Sequence, residues 1–146
     1  MPRITVEIPQ KILFSTNITI AIGDINYGNH LSNDAVLRLC HEARIRWLKH
    51  HQLGEIDIGG GNGLIMADTA IQYTAQAHHG DELSIQIGIS DIFRCGFTLL
   101  YHLYRPSDQT TIARVQTGMV CFSYNTQKVN SIPESFKILL TPTESK

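Results

Sequence analysis

One stretch of this sequence carries a long helical period, and everything else must be arranged around it. It runs from Asp34 to His51. Stepping about 100° per residue from Val36, the side chains of Leu39, Cys40, Ala43 and Trp47 fall in one stripe. Arg38, His41, Glu42 and Lys49 lie opposite, while Leu37 and Leu48 widen the apolar sector, so the helix is expected to be covered on more than one side. At ~1.5 Å per residue it would run about 27 Å, enough to cross a small sheet. Ser32 or Asn33 is placed to cap its first turn through a side-chain oxygen. Asp34 suits the positive end of the helix dipole, and Lys49, His50 and His51 the negative end.

The remaining segments alternate with the period of a strand. Phe14 to Ile22 places Phe14, Ile18, Ile20 and Ile22 on one face. Leu64 to Ala77 reads as a strand with Ile65, Ala67, Ile71, Tyr73 and Ala75 together. Leu83, Ile85, Ile87 and Ile89 form a further row, then Phe97, Leu99, Tyr101 and Leu103, then Ala113, Val115, Thr117, Met119 and Cys121. Gly80-Asp81 and Pro106-Ser107-Asp108 mark turns. Ile132 to Leu140 fits either a short helix or a strand. Strands in succession with short connections pair antiparallel. One helix and about four or five such strands make an α+β layer, with the sheet wrapped around the helix. Such a sheet leaves an edge, and edges are covered or paired, so a homodimer through a matching sheet is expected.

With 146 residues the chain fits one domain. Its formal charge of -1 and the lack of a basic run argue against nucleic acid as a partner. No apolar run approaches the ~18 residues of a membrane span, and Met1-Pro2-Arg3 leads into an alternating segment, not the apolar core of a signal peptide. Three widely spaced cysteines, Cys40, Cys95 and Cys121, make neither a disulfide framework nor a zinc pattern and suit a reducing, cytoplasmic setting.

The most informative segment joins the first strand to the helix. It contains Asp24-x-Asn26, Tyr27-Gly28, His30-Leu31-Ser32-Asn33 and, within the helix, Glu42-Ala43-Arg44. Together with Ile71-Gln72-Tyr73 and Gly80-Asp81-Glu82-Leu83, it resembles the acyl-CoA thioesterase branch of the hotdog superfamily, the hydroxybenzoyl-CoA thioesterase-like group. The resemblance covers roughly Leu13 to Phe122 and implies a hotdog fold. It also implies hydrolysis of an acyl-CoA thioester without a metal or redox cofactor, in a homodimer or a tetramer, at a site between protomers. A loop carboxylate would serve as base or nucleophile, with helix-start N–H groups polarising the thioester carbonyl. The unpaired N–H donors of a first helical turn supply a suitable field, and Asn33 and Asp34 would carry them here.

The chain departs from this pattern at one position. The usual catalytic carboxylate aligns with Asn26, and an amide can neither take up a proton usefully nor attack as a carboxylate does. Asp24 is the first substitute and Glu42 the second. If the first strand persisted, Asp24 and Asn26 would share its inward face. The competing readings are structural: Asp24 bonding loop N–H groups, Asn26 fixing a turn through its amide, Glu42 and Arg44 forming a local network. Tyr27, His30 and Arg94 are candidate substrate contacts, with Arg94 at a rim phosphate. His41-Glu42-Ala43-Arg44-Ile45 starts like a zincin helix but has Ile45 at the second ligand position. Two other functions stay open: a non-catalytic acyl-CoA or acyl-carrier binding module, and a dehydratase, which would need a His paired with an acid.

Overall fold

The computed structural model describes residues 3–141. The elements run β1 (Ile12–Thr19), a single 3-10 turn (Ile22–Asp24), α1 (Asn33–His50), β2 (Asn62–Tyr73), β3 (Glu82–Ile92), β4 (Gly96–Arg105), β5 (Thr110–Ser123), β6 (Lys128–Val129) and α2 (Glu134–Leu140). All strands pair antiparallel in the order β1-β3-β4-β5-β2, with the two-residue β6 added to β5. The α+β layer and its wrapped sheet match the expectation.

The period-two rows explain the core. Ile85 lies opposite Leu103, and Ile87 opposite Tyr101. Tyr101 is in turn opposite Val115, and Leu103 opposite Ala113. Their side chains share one face, and the α1 stripe of Val36, Leu39, Cys40, Ala43 and Trp47 packs into the same buried cluster. The C-terminal segment resolves as a helix. Its Phe136 reaches Trp47 and Phe97, with ring centroids 5.9 and 5.6 Å apart.

Two expectations need correction. β1 ends at Thr19, and Ile22 is exposed in the 3-10 turn, so Asp24 and Asn26 do not continue an inward strand face. β2 ends at Tyr73, and its register shifts between Met66 and Asp68. This bulge reverses the parity: Leu64 and Met66 face inward with Cys121 and Met119, Ile65 turns outward, and Ile71 and Tyr73 face inward again. α1 also buries Arg44 within its apolar sector.

Candidate functional site

The loop from β1 to α1 is fixed by its own polar groups. Asp24 Oδ2 accepts the Ala21 N–H at 3.0 Å, closing the 3-10 turn. Asn26 Oδ1 accepts the N–H groups of Gly28 at 2.9 Å and His30 at 3.2 Å, and the Asn26 N–H donates to the His30 carbonyl. Asn29 takes the left-handed conformation this loop requires, with φ of 68°. The Ser32 N–H then donates to the Asp24 carbonyl at 2.9 Å. Asp24 is therefore stitched to the residue that precedes α1.

That helix start is unusual in its capping. Ser32 has the extended conformation of a cap residue but makes no side-chain cap bond. Its hydroxyl donates to Asp34 Oδ1 at 2.8 Å instead. Arg38 donates to Asp34 Oδ2 at 2.9 Å and lies 3.7 Å from Asp24 Oδ1. The Ser32 hydroxyl and then Arg38 hold the Asp34 carboxyl below its ordinary range. No capping side chain thus occupies the first-turn N–H groups of α1, and a carboxylate–guanidinium cluster stands beside them.

A cavity flanks this start on each side. One, of about 330 Å³, is lined by Asn26, His30, Asn33, Tyr73 and Gln76. The Tyr73 hydroxyl donates to the Asn33 carbonyl at 3.0 Å. Burial, with the Asp34 charge second, pushes the Tyr73 phenol up. The other cavity, of about 460 Å³, runs along α1 between Asp34, Arg38 and His41 on one side and Leu64, Met66 and Met119 on the other.

The candidate residues divide accordingly. Asp24, Asn26, His30, Asn33 and Asp34 gather at the helix start. Tyr27 lies on the same loop, fully exposed. Glu42 does not join them: it accepts from Arg46 Nε at 2.8 Å, and Arg46 also donates to Thr16 Oγ1 and the Asn17 carbonyl on β1. Within one chain Arg94 lies at the opposite end of the sheet, donating to Ser131 Oγ at 2.8 Å. The expected Glu42–Arg44 network is absent because each has another partner. Arg44 donates to Glu55 Oε2 and, at 2.9 Å, to the Tyr101 hydroxyl. Glu55 Oε1 lies 3.0 Å from His41 Nε2, and Tyr101 Oη lies 2.8 Å from Thr117 Oγ1. Burial, foremost, pushes the Tyr101 phenol up to about 12. Sequence reasoning missed this network because its members come from separate elements, and only the even spacing of Arg44 among apolar positions hinted at its burial.

A family model described as the thioesterase-like superfamily matches residues 20–140. The chain belongs to that superfamily. A 1,4-dihydroxy-2-naphthoyl-CoA hydrolase of Synechocystis sp. is 29% identical to this thioesterase-like chain over 103 residues, 69% of this chain and 75% of that protein. Among solved structures, the Synechocystis 1,4-dihydroxy-2-naphthoyl-CoA thioesterase Slr0204 superposes with a TM-score of 0.79 at 24% identity, covering 87% of this chain and 94% of that one. SAV2348 from Staphylococcus aureus, solved in complex with CoA, gives a TM-score of 0.79 at 19% identity, covering 97% and 92%. The fold expected from the resemblance is therefore the fold of this thioesterase-like chain, and thioester hydrolysis is the function class of its family.

Proposed function

We propose that the protein hydrolyses an acyl-CoA thioester to a free acid and CoA, with the start of α1 as its oxyanion site. The observation that carries this reading is the uncapped first turn beside Asp24. In the reaction, water adds to the thioester carbonyl carbon and its proton passes to a carboxylate. The oxygen of the tetrahedral intermediate takes the charge, facing the N–H groups of Asn33 and Asp34. The C–S bond then breaks, and the CoA thiolate leaves and is protonated. Asp24 is the proposed carboxylate. One of its oxygens is engaged by Ala21, while the other has, among the described residues, only the longer contact to Arg38. The names of the Synechocystis hydrolase and the CoA complex of SAV2348 support CoA as the carrier.

β2 supports the oligomeric part of the reading. Among the described residues it pairs with β5 on one side only, so its other edge can receive a second copy. Antiparallel pairing of two β2 edges would exchange their ends. It would bring the Arg94 end of one protomer beside the Asp24 end of the other, where Arg94 could meet a CoA phosphate with Tyr27 and His30 nearby. The setting proposed is the cytoplasm, with the three cysteines as free thiols.

The test is thiol release from a panel of short, long and aromatic acyl-CoAs. Asp24→Asn is expected to lower kcat by about 10²–10⁴-fold, the usual contribution of a positioned base. Turnover that survives Asp24→Ala combined with Glu42→Ala would remove both candidate carboxylates. The second reading, a binding module, rests on Asn26, whose amide oxygen is spent on its own loop. Saturable acyl-CoA binding without turnover, and activity gained by Asn26→Asp, would favour it.

A further inference from the structure

The peptide that presents the Asp34 N–H carries an additional hydrogen bond at its carbonyl end. In the first turn of α1 the Ala35 N–H is already spent on the Ser32 carbonyl, at 3.1 Å. Among the described residues, that leaves the N–H groups of Asn33 and Asp34 without a protein acceptor. The Asp34 N–H shares its peptide with the Asn33 carbonyl, and this carbonyl accepts the Tyr73 hydroxyl at 3.0 Å. A carbonyl has no hydrogen to give, so the phenol is the donor. The regular helix adds the Leu37 N–H, four residues on, to the same oxygen. One peptide thus takes two donors at its carbonyl and offers its N–H to the site. Tyr73 is the last residue of β2, and the chain is pinned just beyond it. The Thr74 hydroxyl donates to the Thr111 carbonyl at 2.7 Å, and the Thr74 N–H to the Ile112 carbonyl at 3.0 Å. The Leu31 N–H, just before the helix, donates to the Ala77 carbonyl at 2.8 Å. The end of β2 and the entry to α1 are therefore tied together, and the phenol is aimed by the fold. Burial and the Asp34 charge both disfavour the phenolate, so the hydroxyl keeps its hydrogen.

We infer that Tyr73 is a positioning residue: by donating to the Asn33 carbonyl it polarises the Asn33–Asp34 peptide and makes the Asp34 N–H the stronger oxyanion donor. This deepens the acyl-CoA reading above and rests on it. A hydrogen bond accepted at an amide carbonyl draws electron density through the amide and strengthens donation from its N–H, by about 10–30% per bond. The gain is felt where the thioester oxygen carries full charge, in the transition state, and little in the ground state. It therefore belongs in kcat and not in KM. Loss of a whole oxyanion donor costs about 10²–10³-fold in kcat, so 10–30% of that effect on a logarithmic scale is about 2- to 8-fold.

The experiment measures kcat and KM, on the acyl-CoA of the panel that the wild type turns over fastest, for Tyr73→Phe and for Tyr73→3-fluorotyrosine. Tyr73 is partly exposed and each change touches one atom of its ring, so the fold is kept. The fluorinated phenol is nearly the same size, more acidic and hence the stronger donor. Tyr73→Phe is expected to lower kcat about 2- to 8-fold with KM within about twofold. Tyr73→3-fluorotyrosine is expected to raise kcat above the wild-type value. A side chain that merely held β2 against α1 would not follow the acidity of the phenol. An unchanged kcat in Tyr73→Phe, a loss carried by KM, or a fluorinated variant no faster than the wild type would overturn the inference. The Asp34 amide ¹⁵N resonance reads the same polarisation without turnover, moving upfield in Tyr73→Phe and downfield in the fluorinated variant. If the wild type turns over no acyl-CoA, the hydrolase reading fails, and this resonance alone decides the role of Tyr73. A resonance that stays in place in both variants would then overturn it.

Discussion

At the scale of single residues, the polar groups near α1 separate into those that build the loop and those free to act. Asn26 spends its carbonyl oxygen on two loop N–H groups, so an amide there is a good turn former whatever its chemistry. The sequence pattern made Asn26 and Asp24 legible as candidates, but their orientations depended on β1 persisting, and it does not. The partner of Glu42 was legible in principle, since Arg46 stands four residues on, the spacing at which helix side chains meet. The partner of Arg44 was not, because Tyr101 lies 57 residues away on β4. Removing Arg44 tests that network. Arg44→Ala leaves the Tyr101 hydroxyl buried without its donor and Glu55 without its counter-charge. It is expected to cost about 2–3 kcal/mol, below the full range for broken buried pairs because Glu55 keeps some water; urea unfolding midpoints read it. A second pair gives a pH dependence. Asp108 accepts from Arg105 Nε and Nη2, which holds its carboxyl at about 2 against an ordinary 3.8. A depressed pKa contributes stability that is complete above the unfolded value and is lost as pH falls through about 2. The unfolding midpoint of Asp108→Asn should therefore decline less than that of the wild type between pH 4 and pH 2, whereas parallel declines would show that the pair contributes nothing.

At the scale of elements, periodicity revealed whatever obeyed it. The inner rows of β3, β4 and β5 and the stripe of α1 were readable because the register shifts of β3 and β5 fall outside those rows, at Ser90 and Ile112. β2 was misread because its bulge inserts one residue, and alternation carries no mark of an insertion. The amino-terminal segment was also hidden, since its neighbours are distant in sequence. Residues 3–11 cross the outer face of the sheet. The Val6 N–H donates to Gln72 Oε1 on β2 at 3.0 Å, and the Val6 carbonyl accepts from Arg114 on β5. Val6 is buried, yet it stands outside the helix-side core. Pro9 crosses β3 at Gly88, where an added Cβ would land on Pro9 Cβ and on the Lys11 carbonyl. Gly88→Ala should therefore lift the arm, with an overpacking cost of about 1–3 kcal/mol. The measurements are the thermal midpoint and amide-exchange protection of residues 3–11. If both stay at wild-type values, Gly88 does not seat the arm.

At the scale of the whole molecule, the two faces and two edges of the sheet have different fates. The inner face is filled by α1, and the outer face is crossed by the arm. β1 forms one edge and is short, at eight residues. β2 forms the other and is 12 residues long, with Ile65, Met66 and Tyr73 exposed along it. A long edge with apolar side chains and a row of free backbone groups invites another strand. The bulge does not end the pairing with β5, which continues to Tyr73, so the outer edge stays strand-like on either side of it. The larger cavity opens on this side of α1, next to Met66, so a second copy on β2 would also close it from water and strengthen every electrostatic contact within. Light scattering at micromolar concentration is expected to give twice the 16.4 kDa chain mass. A proline within β2, as in Ala70→Pro, should shift that mass toward the single chain and lower kcat/KM in step, because the site would lose its second wall. A wild-type mass of one chain together with full activity would place the whole site within a single protomer.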